Sequence, residues 1–164
     1  MLAHSIPQSI RLFVILIGTL LIVPISAADD TDDIRALLDE YVRTESDLEK
    51  QAQMMTDDRS YIIGGARFTD NVANMKGQIA GQKLGRELDP DGMMIVTIED
   101  PMIRINGDVA ITTFYRHWNY IPGAAAVREG RDGGSPPSQV NTVIFERMGR
   151  EWKIVHTHIS PMAN

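Results

Sequence analysis

The sequence predicts an α+β fold: a cone-shaped, curved antiparallel β-sheet with a long N-terminal helix packed on it. Three observations predict it. An apolar stripe at helical spacing opens the folded part of the chain, a short hairpin and a second helix follow, and from Met93 onward the pattern is strands and turns. Helices and strands are thus segregated along the chain, unlike the regular alternation that builds parallel sheets. A strongly twisted sheet covered on one face leaves a cone whose open end can hold a small ligand.

Each element has a local cause. Asp29-Asp-Thr-Asp-Asp33 is acidic and favours the positive end of a helix. Behind it Ile34, Leu37, Leu38, Tyr41, Val42, Leu48, Ala52 and Met55 fall on one stripe, which predicts a single helix to about Thr56. Asp39, Arg43, Asp47 and Lys50 form its solvated face. Arg59–Ile63, Gly64-Gly65 and Ala66–Thr69 read as a hairpin with a glycine turn. Asp70 caps a second helix through about Gln82, weakened by Gly77 and Gly81.

The strands follow. Asp89-Pro-Asp-Gly92 is a turn, Met93–Asp100 a strand, and Pro101 forces a bulge before Met102–Ile105 resumes it. Asn106-Gly107 predicts a type I′ hairpin turn into the long strand Val109–Tyr120. Ile121–Ser138, rich in glycine and proline, is a connection long enough to carry function. Two strands joined at Met148-Gly-Arg-Glu151 close the chain.

The first residues are read as a secretory signal rather than as fold. Arg11 precedes the apolar run Leu12–Val23, Pro24 ends it, and Ser26-Ala27-Ala28 offers small residues for a peptidase. A run this short falls below the ~20 residues that span a bilayer. The expectation is an exported protein, periplasmic or secreted, with residues 1–28 as signal and 29–164 as one domain, and no membrane contact after cleavage. The signal contains one of the 16 basic and none of the 22 acidic side chains. The remainder is acidic and lacks a basic cluster, which argues against nucleic acid as a partner. There is no cysteine, so disulfides and thiolate metal sites are excluded, and the fold must be held by packing.

The closing segment carries a family resemblance. Gly107-Asp108 before a long strand, Arg116 and Tyr120 on it, Thr142-Val143, Gly149 in the turn, then Trp152, Val155, His156, His158 and Ser160 resemble the nuclear transport factor 2-like superfamily. The similarity is to its SnoaL-like branch and to the association (hub) domain of calcium/calmodulin-dependent kinase II. The resemblance implies a cone-shaped α+β barrel, commonly a homodimer through the sheet. Its members include isomerases, cyclases, dehydratases and epoxide hydrolases beside many without catalysis, so fold alone does not give chemistry.

Candidate site residues come from strand alternation and from that resemblance. Arg116 alternates with Thr112, Phe114, Trp118 and Tyr120, a cation among aromatics, and matches a hub-domain pocket arginine. Its guanidinium suits a carboxylate, unless it pairs internally with Glu99 or Glu146. On the last strand, strict alternation puts Trp152, Ile154, His156, His158 and Ser160 on one face. His158 with Ser160 is then a candidate acid–base pair. The hub domain's arginine on this strand matches Ile159, which implies that the other face looks inward unless a bulge intervenes. Tyr41 on the helix stripe and Tyr61 on the hairpin are candidate donors, and Thr142 a candidate ligand contact. His156, His158 and His117 lack a third ligand at diagnostic spacing, so neither a metal nor another cofactor is expected. No carboxylate stands out on an apolar face. The leading expectation is a binding domain for a small anionic or carbonyl-bearing molecule. The alternatives are a metal-free isomerase, cyclase or lyase using His158 with Arg116 or a tyrosine such as Tyr41, and a non-catalytic assembly module.

Overall fold

The structure is a computed structural model that describes residues 27–131 and 138–162. Helix α1 (Ala27–Arg43) is followed by α2 (Leu48–Ala52), β1 (Met55–Ile63), β2 (Ala66–Phe68) and α3 (Asn71–Leu88). Strands β3 (Met93–Asn106) and β4 (Val109–Ile121), helix α4 (Ala124–Arg128), β5 (Gln139–Met148) and β6 (Glu151–Pro161) complete it. The predicted signal lies outside the described residues except at its last two positions, as do residues 132–137 of the long connection.

The six strands form one sheet in the order β2-β1-β6-β5-β4-β3. All neighbours are antiparallel except β1 and β6, which run parallel. Helix α1 lies across β3 and closes one face of the sheet. Ile34, Leu38 and Tyr41 meet Phe114, Val143, Phe145, Trp152 and Ile154 in one buried cluster. Each such side chain contributes ~1.5–3 kcal/mol on leaving water, so this cluster sets the position of everything above it.

Four local features differ from the sequence expectations. The predicted single helix to Thr56 breaks after Arg43. Thr44 donates its hydroxyl to the Glu40 and Tyr41 carbonyls, 2.7 and 3.2 Å away. Asp47 accepts from the Lys50 N–H at 3.2 Å and caps α2 afresh. Short polar side chains thus compete for the backbone bonds a continuous helix needs. Helix α3, by contrast, runs on past Gln82 to Leu88, where Asp89-Pro90 ends it.

The hairpin into β4 turns one residue later than expected. Asn106 pairs with Val109, leaving Gly107-Asp108 as the turn. Gly107 has φ 60° and Asp108 has no positive φ, so a single glycine at the first central position suffices. The bulge expected at Pro101 is present, with the register shifting between Glu99 and Met102 and Asp100 at φ 51°. A second bulge interrupts β6: Ile144 faces His156 while Phe145 faces Ile154, so Val155 has no partner across the ladder. Everything after Val155 is turned to the opposite face from strict alternation.

The end of β4 is pinned to the turn after α3. Tyr120 donates its hydroxyl to the Asp89 carboxylate at 2.6 Å, and the Gly123 N–H donates to the same oxygen at 3.1 Å. A Cβ on Gly123 would stand 2.5 Å from Asp89 Oδ1 and 2.8 Å from Asp91 Cβ. On Gly81, exposed on α3, a Cβ would meet open space. Gly123→Ala is therefore expected to lower stability by about 1–3 kcal/mol through overpacking. Gly81→Ala should raise it by up to about 1 kcal/mol. Thermal denaturation of the two variants against wild type checks both signs.

Candidate functional site

Inside the cone, β4 presents Ala110, Thr112, Phe114 and Arg116, all buried, with Trp118 beyond them. Arg116 is 3 % exposed yet makes a full set of contacts. Its Nη1 donates to Glu45 Oε1 at 2.6 Å and lies 3.4 Å from the Tyr41 hydroxyl. Its Nε and Nη2 both donate to Gln139 Oε1, at 3.1 and 2.7 Å. The guanidinium lies over the Trp118 ring, 4.7 Å from its centroid.

Glu45 is the carboxylate that the sequence pattern hid. It stands in the turn between α1 and α2, is 5 % exposed, and is held there because Gln82 donates to its backbone carbonyl at 2.9 Å. Its internal pairing with Arg116 replaces the Glu99 and Glu146 partners expected above. Glu99 instead accepts from the His117 ring on the outer face, its Oε2 3.0 Å from Nε2. Burial pushes the Glu45 carboxyl above the usual carboxylate range, while Arg116 and Gln51 pull it back. The Tyr41 phenol is pushed up to about 12, first by burial and then by the Glu45 charge. Burial acts to lower Arg116, but Tyr41, Glu45 and Tyr61 together hold it above its ordinary value.

A second guanidinium shares this interior. Arg59 on β1 is 2 % exposed and donates from Nε to Asn71 Oδ1 at 2.9 Å. Its remaining partners are weak: Thr157 Oγ1 at 3.4 Å and Met75 Sδ at 3.7 Å, with Tyr61 stacked 4.8 Å away. No carboxylate pairs with it among the described residues. Burial lowers its affinity for the proton, countered by Tyr41, Tyr61 and Glu45. Asn141 on β5 has no exposure, and neither its amide oxygen nor its amide nitrogen has a partner. The Trp118 indole N–H is likewise buried and unpartnered.

Four of the predicted site residues therefore meet in the cone: Arg116, Trp118, Tyr41 and Tyr61. Three do not. The Val155 bulge keeps Trp152 and Ile154 in the core and then turns Thr157 and Ile159 inward, which places Ile159 as the hub-domain match implied. His158 and Ser160 face outward, 3.4 Å from each other, with His158 exposed. Thr142 faces outward opposite His158, because Asn141, Val143 and Phe145 take the inward positions of β5. His156 also lies outside, its Nδ1 2.8 Å from Ser60 Oγ.

Sequence reasoning missed Glu45, Arg59, Gln139 and Asn141. Glu45 did leave a signal, since it continues the Ile34, Leu38, Tyr41 stripe at spacings of four, three and four. Arg59 precedes Tyr61 by two on the hairpin, so both share a face. Asn141 and Gln139 had no signal until the register of β5 was known.

This architecture defines the class: a nuclear transport factor 2-like α+β cone. A SnoaL-like domain family model matches residues 34–164. The chain belongs to the SnoaL-like family, whose fold supports a ligand-binding or isomerase-type domain. Comparison with curated proteins finds no sequence match. Among solved structures, a nuclear transport factor 2-like protein with a cystatin-like fold from Novosphingobium aromaticivorans is similar at 18 % identity and TM-score 0.64, covering 84 % of each chain. The calcium/calmodulin-dependent kinase II hub homology domain of Chlamydomonas reinhardtii is similar at 16 % identity and TM-score 0.64, covering 82 % of this chain and 99 % of that one. A superfamily protein from Salmonella enterica serovar Typhimurium gives 16 % identity and TM-score 0.60, with 85 % and 95 % covered. These likenesses concern fold.

Removing Arg116 leaves Glu45 as an unpaired buried charge. Arg116→Ala is expected to destabilise by about 3–5 kcal/mol, and adding Glu45→Ala should recover a large part of that loss. Urea unfolding of the two single variants and the double variant measures the coupling. The sign with pH is also set. Because the folded state raises the Glu45 pKa, its contribution is full below the unfolded value and is lost as pH rises through the folded one. The stability of wild type relative to Glu45→Gln should thus decline with rising pH.

Proposed function

We propose that this domain binds a small carboxylate- or carbonyl-bearing molecule in its cone. The observation that carries the proposal is the second buried guanidinium, Arg59, with no carboxylate of its own. A buried cation without a counter-charge is costly, and an incoming anion removes that cost. Asn141 supports the same reading, since its buried amide offers an unused donor and an unused acceptor two residues along β5 from Gln139. Gln139 holds the Nε/Nη2 edge of Arg116 with one neutral oxygen, the position a ligand carboxylate can take bidentately. Trp118 and Tyr61 give the rest of the molecule an aromatic wall.

The test is calorimetric titration with acetate, butyrate and benzoate, with benzamide as the neutral counterpart of benzoate. Saturable binding of a carboxylate, absent for benzamide, is expected. Replacing Arg59 by Gln should weaken it roughly 10- to 150-fold, the equivalent of one charge-assisted hydrogen bond. Failure of all three carboxylates to bind wild type would remove the proposal.

The working form we propose is an exported homodimer. Export rests on the apolar run and small residues before Asp29, and on Asp30 already being ion-paired with Arg147 in the fold. The dimer rests on the sheet's outer face, where Met102, Ile111, Tyr115 and Val140 are exposed together. A second copy related by a two-fold axis buries that patch against itself. Sedimentation equilibrium at micromolar concentration should give twice the chain mass, and Ile111→Lys should return it to the monomer. A monomeric wild type would overturn the dimer.

A further inference from the structure

Glu45 balances Arg116, so Arg59 leaves the interior one excess positive charge, which a single carboxylate neutralises. Hydrogen bonding is short of something else. The unpartnered buried atoms on the elements of the cone are chiefly donors: the amide nitrogens of Asn74, Gln78 and Asn141 and the Trp118 indole N–H, against one amide oxygen, that of Asn141. The others among the described residues, on Trp152 and Asp30, lie beside Arg147, which stacks on the Trp152 ring and pairs with Asp30.

Two of those donors stand on α3. Asn71 and Met75 meet Arg59, and Gln82 donates to the Glu45 carbonyl, so this face of α3 looks into the cone. Gln78 follows Met75 by three residues and precedes Gln82 by four, which sets it on the same face. Asn74 stands one turn before Gln78. Both amides line a cleft of about 590 Å³ between β2 and α3, where Phe68 forms the opposite wall. Ala73 and Gly77 keep that cleft open, and a Cβ on Gly77 would meet empty space. The Phe68 ring lies 6.0 Å from the Tyr61 ring, and Tyr61 in turn stacks 4.8 Å from Arg59. An aromatic wall therefore runs from the unpaired cation to the two amides.

We infer that Asn74 and Gln78 bind a carbonyl oxygen of the ligand, whose class is thereby an oxo monocarboxylic acid. This rests on the anion-binding reading above and adds to it what lies beyond the acid group. A buried N–H left unpaired carries its full desolvation cost, and a carbonyl removes that cost with an acceptor that brings no charge. A second carboxylate would exceed the one positive charge on offer, and a plain alkyl chain would leave both amides unpaired. The step along α3 from Met75, which touches Arg59, to Gln78 is ~4.5 Å. An extended chain covers that distance in roughly three or four bonds, which places the oxo group on the γ or δ carbon. The aromatic wall of Tyr61 and Phe68 suits an apolar or aromatic remainder beside that carbonyl.

The experiment titrates the full domain calorimetrically with two matched pairs of acids. They are γ-phenylbutyrate against γ-oxo-γ-phenylbutyrate, and δ-phenylvalerate against δ-oxo-δ-phenylvalerate. At least one oxo acid is expected to bind roughly 5- to 150-fold more tightly than its parent, the relief of one unpaired buried donor. Gln78→Met, close in shape to the native side chain, should reduce that preference, and adding Asn74→Leu should bring the pair level. Lys76→Ala, on the exposed side of α3, should keep it. Equal affinities within both pairs for wild type would overturn the inference while leaving the carboxylate site standing. A preference undiminished in Gln78→Met and in the double variant, or lost in Lys76→Ala, would overturn it as well. Absence of binding by all four acids would instead remove the function on which it rests, and the inference with it. Wild type and Gln78→Met decide even where the double variant fails to fold.

Discussion

The ion pair between Arg116 and Glu45 joins the turn after the first helix to the middle of the longest hairpin. Both groups are almost fully removed from water, at 4 % and 7 % side-chain exposure, so neither is stable there without the other. Thr44 ends α1 one residue before Glu45, its hydroxyl donating to the Glu40 carbonyl, so the carboxylate is presented from the turn. The pair depends on Ile34, Leu38 and Tyr41 docking α1 against Phe114 and Phe145 below. Charge pairing above and apolar packing below thereby fix one orientation of helix on sheet.

The bulge at Val155 has consequences out of proportion to one residue. It lets β6 fill the core with Trp152 and Ile154 and then line the cone with Thr157 and Ile159. The same shift turns His156, His158 and Ser160 toward the outer face, where they lie beside Ser60 and Thr142. Chemistry in the cone must therefore come from arginine, tyrosine, glutamate and amide groups. No histidine among the described residues faces that interior.

Two guanidiniums, one carboxylate and an unpartnered amide form an interior that is electrically incomplete as it stands. Proteins tolerate buried ionic clusters mainly when each charge finds a partner. Arg59 makes weak contacts with a hydroxyl and a thioether in place of a counter-ion. On the function proposed above, an anionic ligand would supply the missing charge. A cone used only for assembly would be more stable with an apolar filling.

Much of the architecture was legible in the sequence because it rests on local rules. The amphipathic stripe of α1, the Asp70 cap, the glycine turn after Ile63, the Pro101 bulge and the alternation of Arg116 with Phe114 and Trp118 each follow from spacing or from one residue's chemistry. The family resemblance extended this to the cone. What only the tertiary structure decided is which polar groups meet. Glu45 and Arg116 are separated by 71 residues, and Arg59 and Thr157 by 98, so no local pattern records their contacts. The Val155 bulge was equally silent, because one extra residue in a ladder leaves the composition of a strand unchanged while exchanging its two faces. Sequence by itself determined most of the elements, though not the break between α1 and α2 or helix α4, and the strand that carries Arg116. The partner of that arginine, and the side of the sheet on which the histidines lie, were decided by long-range register and by the burial cost of unpaired charge.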